Sequence, residues 1–169
     1  GCSYSCTYCY VSSLIDNLRE AYSEVGVRPP SIIQDRLLET VVQEGEEILA
    51  LDKIYGIKTT AVFDQADISL NNMHWWEQLK NLWVDRVGIP FYIQARPAML
   101  AGKKGKQRIK LISDKGLVAG ISMAIESGNP KIRKLLLDRH ESNDTILDAI
   151  NNVKESNIPL RTQSIIGLP

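Results

Sequence analysis

Apolar positions along the chain recur with two alternating periods. Over residues 35–55 they fall at Leu37, Leu38, Val41, Val42, Ile48, Leu49 and Ile54, the spacing of a helix with one buried stripe. Gly56 then predicts the C-terminal stop of that helix. The segment IKTTAVF, residues 57–63, is rich in β-branched side chains and predicts a strand. Asn71 or Asn72 is placed to cap a further helix, whose apolar face includes Trp76, Leu79 and Trp83. Pro90 opens a second strand over residues 91–95, and residues 106–115 read as a short helix ended by Gly116. LVAGISMAI, residues 117–125, is a third strand. Pro130 suits the first turn of a helix reaching about Leu137. Ser142 caps another, with Ile146, Ile150 and Val153 on one face, and residues 158–166 give a last strand.

Strands alternating with helices predict a parallel α/β sheet with right-handed crossovers. A loop at residue 1 that leads into a helix implies one more strand upstream. No fixed-period repeat and no low-complexity segment is present, and residues 24–34, with Gly26, Pro29 and Pro30, form the longest irregular connection before residue 35. A length of 169 residues suits one domain spanning 1–169. The chain opens without Met inside its most functional-looking motif and stops at Gly167-Leu168-Pro169, where a loop begins. It therefore reads as a fragment truncated at both ends. On that reading the sheet has unprotected edges, and these residues alone are expected to be poorly soluble and inactive.

Composition changes this picture little. Hydrophobic residues make up 44% and charged residues 24%, an ordinary globular balance. Twenty Lys and Arg offset twenty Asp and Glu, so no overall field steers the protein onto nucleic acid or an acidic membrane. No apolar run approaches the roughly 20 residues that span a bilayer, and the first residues lack the basic and apolar regions of a signal peptide. The expectation is a cytoplasmic protein with neither a nucleic-acid nor a membrane partner.

The cysteines carry the sharpest chemical signal. All three, Cys2, Cys6 and Cys9, fall within the first nine residues. An odd count builds no closed disulfide framework, and thiols spaced this tightly point to metal. Cys-x3-Cys-x2-Cys lets one loop place three thiolates around one cubane cluster, leaving one of its four irons open. An open position marks a catalytic metal site, by the logic that separates catalytic from structural zinc. Two metal alternatives stand beside this. Structural zinc would need a fourth ligand, and His74 and His140 are distant in sequence; an electron-transfer cluster normally has four Cys. Three unligated thiols on a surface loop are the remaining reading.

CSYSCTYC, with an aromatic residue before the last Cys, resembles the signature of radical S-adenosylmethionine (SAM) enzymes. Later segments match in the right order, so the resemblance covers nearly the whole chain. It implies a partial (β/α)6 barrel of TIM type, with the cluster loop after a first strand upstream and a last strand–helix unit missing downstream. It implies two cofactors, a [4Fe–4S] cluster held by Cys2, Cys6 and Cys9, and SAM bound at the open iron. An electron from the reduced cluster splits SAM into methionine and a 5′-deoxyadenosyl radical, which abstracts hydrogen from a substrate; the protein holds and orients these groups. The same resemblance implies an external electron donor of flavodoxin or ferredoxin type and a small-molecule or peptide substrate.

Family roles carry over residue by residue. Tyr8 matches the aromatic position near the adenine. Asp64-Gln65-Ala66 takes the place of a Gly-Gly-Glu-like motif that meets the SAM amino group; neither Gly is present, which leaves Asp64 or Gln65 as a substitute acceptor. Gln94 ends the next strand, where relatives place a polar group facing SAM. Glu126, in AIESGN, resembles the GIESGN segment that binds the ribose hydroxyls. Arg139 matches an arginine that pairs the SAM carboxylate, for which a bidentate fork is suited. SIIGLP, with Ile166, Gly167 and Leu168, resembles the motif that cradles adenine.

Plainer roles compete at several of these positions. Glu126 would also serve as a helix cap, and Arg139 as a solvated cation at a helix end. Arg96, an odd residue after a strand, reads as a surface ion pair, with a substrate-facing role as the alternative. Trp76 and Trp83 read as packing and Trp75 as the tryptophan left exposed; the basic run from Lys103 to Arg108 reads as a solvated loop. His74 and His140 lack metal spacing. AIESGNPKIRKLL with SIIGLP is most similar to the corrinoid-dependent radical SAM methyltransferases and cyclases, which implies cobalamin in a domain outside this chain. Methylthiotransferases and the oxygen-independent coproporphyrinogen oxidases share related motifs. The competing class is an iron–sulfur electron carrier, which has no use for a SAM pocket.

Overall fold

The computed structural model describes residues 4, 6–29, 31, 36–65, 70 and 72–168. Its strands are β1 (Val62–Gln65), β2 (Phe91–Ala95), β3 (Val118–Glu126) and β4 (Leu160–Ser164). They form one four-stranded sheet in the order β1-β2-β3-β4, every neighbouring pair parallel. The helices are α1 (Tyr10–Glu24), α2 (Leu38–Tyr55), α3 (Met73–Arg86), α4 (Pro97–Leu100), α5 (Gly102–Ser113), α6 (Pro130–Leu135) and α7 (Asn143–Glu155). Strand order that follows chain order, with a helical crossover at each step, is the arrangement of part of a TIM-type barrel. The sheet is not closed among the described residues.

Helix ends fall where the side chains dictate. Gly56 ends α2 at φ 65°, a left-handed conformation that favours glycine. Asn72 caps α3 by accepting from the Trp75 backbone N–H at 3.0 Å. Pro130 occupies the first turn of α6, whose cap is Asn129, and Ser142 Oγ caps α7 by accepting from Thr145 N–H at 3.1 Å. Asp35 and Asn71, assigned from the sequence to a helix and to a cap, lie outside the described residues.

The core lies between the sheet and α2, α3, α5 and α7. Trp76, Leu79 and Trp83 of α3 are buried as one stripe. The Trp83 ring packs on Phe91 at 4.5 Å between centroids, and its Nε1–H donates to the Ile89 carbonyl at 2.6 Å. Alternation along β2 turns Phe91, Ile93 and Ala95 toward the helices and leaves Tyr92 and Gln94 half-buried on the other face. Glycines permit close approach at three places, the tightest at Gly105 of α5, where a Cβ would run into the Leu100 carbonyl oxygen. A Cβ on Gly45 of α2 would stand 2.7 Å from the Trp83 ring, and one on Gly120 of β3 would stand 2.6 Å from the Tyr92 ring.

Several boundaries differ from the sequence reading, most clearly at β1, around α5 and at β4. β1 begins at Val62 rather than at residue 57, because the Asp52 carboxylate captures the intervening chain: it accepts from Thr59 N–H at 2.6 Å and from Thr59 Oγ1 at 2.8 Å. Between β2 and α5 the chain forms the extra turn α4, with Pro97 in its first turn, and α5 starts at Gly102 rather than 106. β4 is confined to Leu160–Ser164 because β3 ends at Glu126, and the last tie is Ile165 N–H to the Glu126 carbonyl at 2.9 Å. Among the described residues no helix is long and apolar enough to cross a membrane.

Candidate active site

The cysteine loop docks on the C-terminal ends of β2 and β3. A turn over residues 6–9, closed by Cys9 N–H to the Cys6 carbonyl at 3.0 Å, holds the two cysteines on one loop. Cys6 is buried and Cys9 half-buried at the N-cap of α1, where the first backbone N–H groups favour negative charge. Thr7 fixes the turn to the segment after α6: its N–H donates to the Leu137 carbonyl at 3.4 Å and its Oγ1–H to the Leu136 carbonyl.

Beside this turn, three side chains from distant parts of the chain converge. Tyr8 Oη donates to Glu126 Oε1 at 2.7 Å. Arg139 Nη1 donates to Glu126 Oε1 at 3.1 Å and to Tyr8 Oη at 3.0 Å, while Nη2 donates to the Ala124 carbonyl at 2.8 Å. Glu126 and Arg139 are 8% and 4% exposed, so neither the helix-cap nor the solvated-cation role applies. Glu126 ends β3 at φ 65°, after an irregularity in the pairing with β4. A left-handed conformation at a non-glycine residue costs about 1–3 kcal/mol and persists where surrounding contacts over-determine it. Burial, and then donation to Glu126, push the Tyr8 phenol well above its usual range, so it remains a proton donor in the trio.

A second buried pair adjoins the first. Arg96, next after β2, is 5% exposed, and its Nε and Nη2 both meet Glu141 Oε1 at 2.7 Å. It is not the surface ion pair that its sequence context suggests. Burial works against the Glu141 carboxylate, but the hydrogen bonds and charge of Arg96 outweigh it and hold this carboxyl below its usual range. Arg133 of α6, 1% exposed, donates to the Ser127 and Glu141 carbonyls and so braces the turn that carries both Arg139 and Glu141. Burial lowers the Arg133 pKa. Arg133 and Glu141 do not stand out in the sequence, and Arg96 stands out only as an odd residue after a strand. Arg96 directly before Pro97, and Glu141 two residues after Arg139, are the only local signals.

The remaining positions divide. Gln94 Nε2 donates to Gln163 Oε1 at 3.3 Å across the inner face of the sheet. Ser122, between them on β3, is 2% exposed, and its Oγ has no hydrogen-bond partner among the described residues. Asp64 is not brought to the site. The register Val62↔Phe91 and Asp64↔Ile93 puts it in step with the helix-facing residues of β2, and it lines a cavity with Arg36, Glu44 and Trp75. Gln65 is placed by its register opposite Gln94. Ile166 is 97% exposed and Gly167 takes φ 85° in the turn beyond β4, with Leu168 half-buried behind it. Cys2 lies outside the described residues. Trp75, read as the exposed tryptophan, is half-buried and donates its Nε1–H to the Arg36 carbonyl at 2.9 Å.

The donor set suits an iron–sulfur cluster. Cys6 Sγ faces the Arg96 guanidinium at 3.8 Å, and a neighbouring cation favours the thiolate that binds metal. The groups beside it are hydrogen-bonding side chains and buried charges, the kind of lining that orients a polar cofactor at the C-terminal end of barrel strands. No curated protein matches the chain. A sequence profile of the radical SAM superfamily matches residues 1–169. The cysteine turn, the parallel sheet and that full-length match together place the chain in the radical SAM superfamily, enzymes that pair a [4Fe–4S] cluster with SAM.

Proposed function

We propose that Cys2, Cys6 and Cys9 ligate the cluster and that the trio of Tyr8, Glu126 and Arg139 forms the polar wall of the SAM site. The observation that carries this reading is the convergence of the trio, within 3.1 Å, beside the turn that holds Cys6 and Cys9. When bound, the cluster supplies the electron that cleaves a carbon–sulfur bond of SAM. The chain's own work is to hold and orient. Glu126 offers carboxylate oxygens as acceptors for a diol. Arg139 has both Nη groups engaged within the protein, so it serves the site by fixing Glu126 rather than by offering a fork of its own. Tyr8 carries the cysteine turn to the same carboxylate. Gln94, Gln65 and the turn at Ile166, Gly167 and Leu168 complete the proposed lining, with Asp64 left to the outer face.

For the reaction downstream of SAM cleavage, AIESGNPKIRKLL and SIIGLP support cobalamin-dependent methyl transfer or cyclisation, with cobalamin held by another domain; methylthiotransferase-type chemistry is the second reading. A flavodoxin- or ferredoxin-type donor is the proposed reductant. An electron carrier would have no use for a buried Glu–Arg–Tyr trio.

The test reconstitutes the intact protein anaerobically with iron and sulfide, adds SAM and dithionite, and assays 5′-deoxyadenosine by chromatography and mass. Product in the wild type and none in the Cys2, Cys6 and Cys9 to Ala triple variant is the expected result. Equal product from both would sink the assignment of the cysteines. Glu126→Gln is expected to weaken SAM binding by about 10–100-fold, the worth of a hydrogen bond to a charged group, while the cluster absorbance is retained.

A further inference from the structure

Arg96 is held in one orientation by its neighbours in sequence and in space. Pro97 restricts the preceding residue to extended backbone, and Arg96 takes φ −79°, ψ 153°. Its Nε and Nη2 meet Glu141 Oε1 at 2.7 Å, the Tyr4 ring centroid lies 3.7 Å from its Cζ, and Nη1 donates to Cys6 Sγ at 3.8 Å. The guanidinium, the Cys6 thiol and the Glu141 side chain are all within a tenth of full burial. A charge in such surroundings acts on its neighbours through a low effective dielectric, so it is screened far less than a surface charge.

A donor aimed at a ligating sulfur draws electron density away from the iron. A fixed positive charge beside a cluster also favours the state with one more electron. Hydrogen bonds to sulfur, net charge and solvent exposure are the levers that set cluster potentials. Glu141 works in the opposite sense. Its Oε1 accepts from Arg96 Nε and pairs with Nη2, while its Oε2, buried without a hydrogen bond, stands 3.8 Å from Arg139 Nε.

We propose that Arg96 is a positioning residue that tunes the iron–sulfur cluster through Cys6: the guanidinium donates to the ligating sulfur and raises the reduction potential, and Glu141 locks it in place while offsetting part of its field. This rests on the reading of Cys6 as a cluster ligand. Reduction adds one electron, supplied in the test by dithionite, and no bond to Arg96 or Glu141 forms or breaks.

The test measures the midpoint potential of the reconstituted intact protein by titration followed with electron paramagnetic resonance, with iron per chain assayed alongside. Arg96→Gln is expected to shift the midpoint to more negative potential, by about tenfold in the reduction equilibrium or about 59 mV for one electron. Glu141→Gln is expected to shift it the other way, and Arg96→Lys, which keeps the charge, to stay nearer the wild type. Loaded Arg96→Gln and Glu141→Gln proteins with the wild-type midpoint overturn the proposal. If Arg96→Gln does not hold a cluster, Glu141→Gln decides: a positive shift supports the tuning role and an unmoved midpoint ends it. Cys6→Ala separates the two levels. Full iron retention there removes Cys6 as a ligand and takes this inference with it. Loss of iron, with midpoints unmoved in the other variants, leaves the ligand standing and rejects only the tuning.

Discussion

At the scale of single residues the site is built from buried charges that satisfy one another. Arg139 is 4% exposed and serves Glu126, Tyr8 and the Ala124 carbonyl at once. Burying a guanidinium and a carboxylate is expensive, and mutual attraction returns that cost only while both are present. Arg139→Met is therefore expected to destabilise the fold by about 3–5 kcal/mol, because it leaves Glu126 a buried carboxylate with no countercharge. Arg139→Lys recovers part of the loss, since one ammonium does not reproduce a planar fork spread over a side chain and a carbonyl. Urea unfolding of the single variants and of Arg139→Met with Glu126→Gln checks the coupling. The double variant is expected to be more stable than Arg139→Met alone, and strict additivity would rule out the pairing as the source of the effect. Tyr8, kept protonated first by burial and, where Glu126 is present, by donation to it, contributes a donor to this cycle.

At the scale of elements, ties between neighbouring helices and turns set the frame. Lys80 of α3, 11% exposed in its side chain, donates to Asp114 Oδ2 at 2.7 Å, joining α3 to the turn after α5. That hydrogen bond holds the Asp114 carboxyl below its usual value. A carboxyl whose folded pKa is depressed contributes stability above its unfolded pKa, about 3.9, and loses it as pH falls through the lower folded value. The stability gap between wild type and Asp114→Asn is thus expected to be present at pH 5 and to close toward pH 2, as read by denaturant unfolding at each pH. A gap that does not change with pH would show that the pair contributes no linkage. Neither Lys80 nor Asp114 stood out in the sequence, because a lysine on a helix and an aspartate in a turn are ordinary on any surface. The elements themselves were far more legible. The helix caps at Asn72 and Ser142, the stop at Gly56 and the stripe Trp76–Leu79–Trp83 all follow from local spacing and side-chain chemistry, and each is found. Glu126 and Arg139 were visible only through resemblance to a family. The buried pairing of Arg96 with Glu141, and the brace from Arg133, were not legible because a buried ion pair depends on which strand end meets which turn, and no local periodicity carries that information. Asp64 shows the other limit: it lies within β1 rather than after it, and the pleat turns it toward α2 and α3.

At the scale of the whole molecule, the parallel sheet divides the chain into a packed side and a functional end. Helices α2, α3, α5 and α7 cover the outer face, and the strand C-termini carry the cysteine turn and its buried charges. β2 and β3 are each paired on both sides, whereas β1 and β4 have a ladder on one side only among the described strands. Ile93 of β2 and Ile121 and Met123 of β3 are fully buried, whereas most of α1 is exposed, including Leu14 and Leu18. Backbone hydrogen bonds open locally at a free energy that follows burial and the number of neighbours that must move with them. Native-state hydrogen exchange is therefore expected to be slowest at the amides of Ile93, Ile121 and Met123, intermediate along β1 and β4, and fastest in α1. On the proposed ligation by the cysteine turn, loading the cluster is expected to change this ordering in one place. Cys9 occupies the N-cap position of α1 and Thr7 fastens the same turn to the Leu136 and Leu137 carbonyls, so metal bound by this loop would anchor the start of the helix. Protection of the first turn of α1 is expected to rise on reconstitution with iron and sulfide, with β2 and β3 unchanged. A rise spread evenly over the sheet would mean instead that the cluster stabilises the whole fold, and that the cysteine turn is no separate unit.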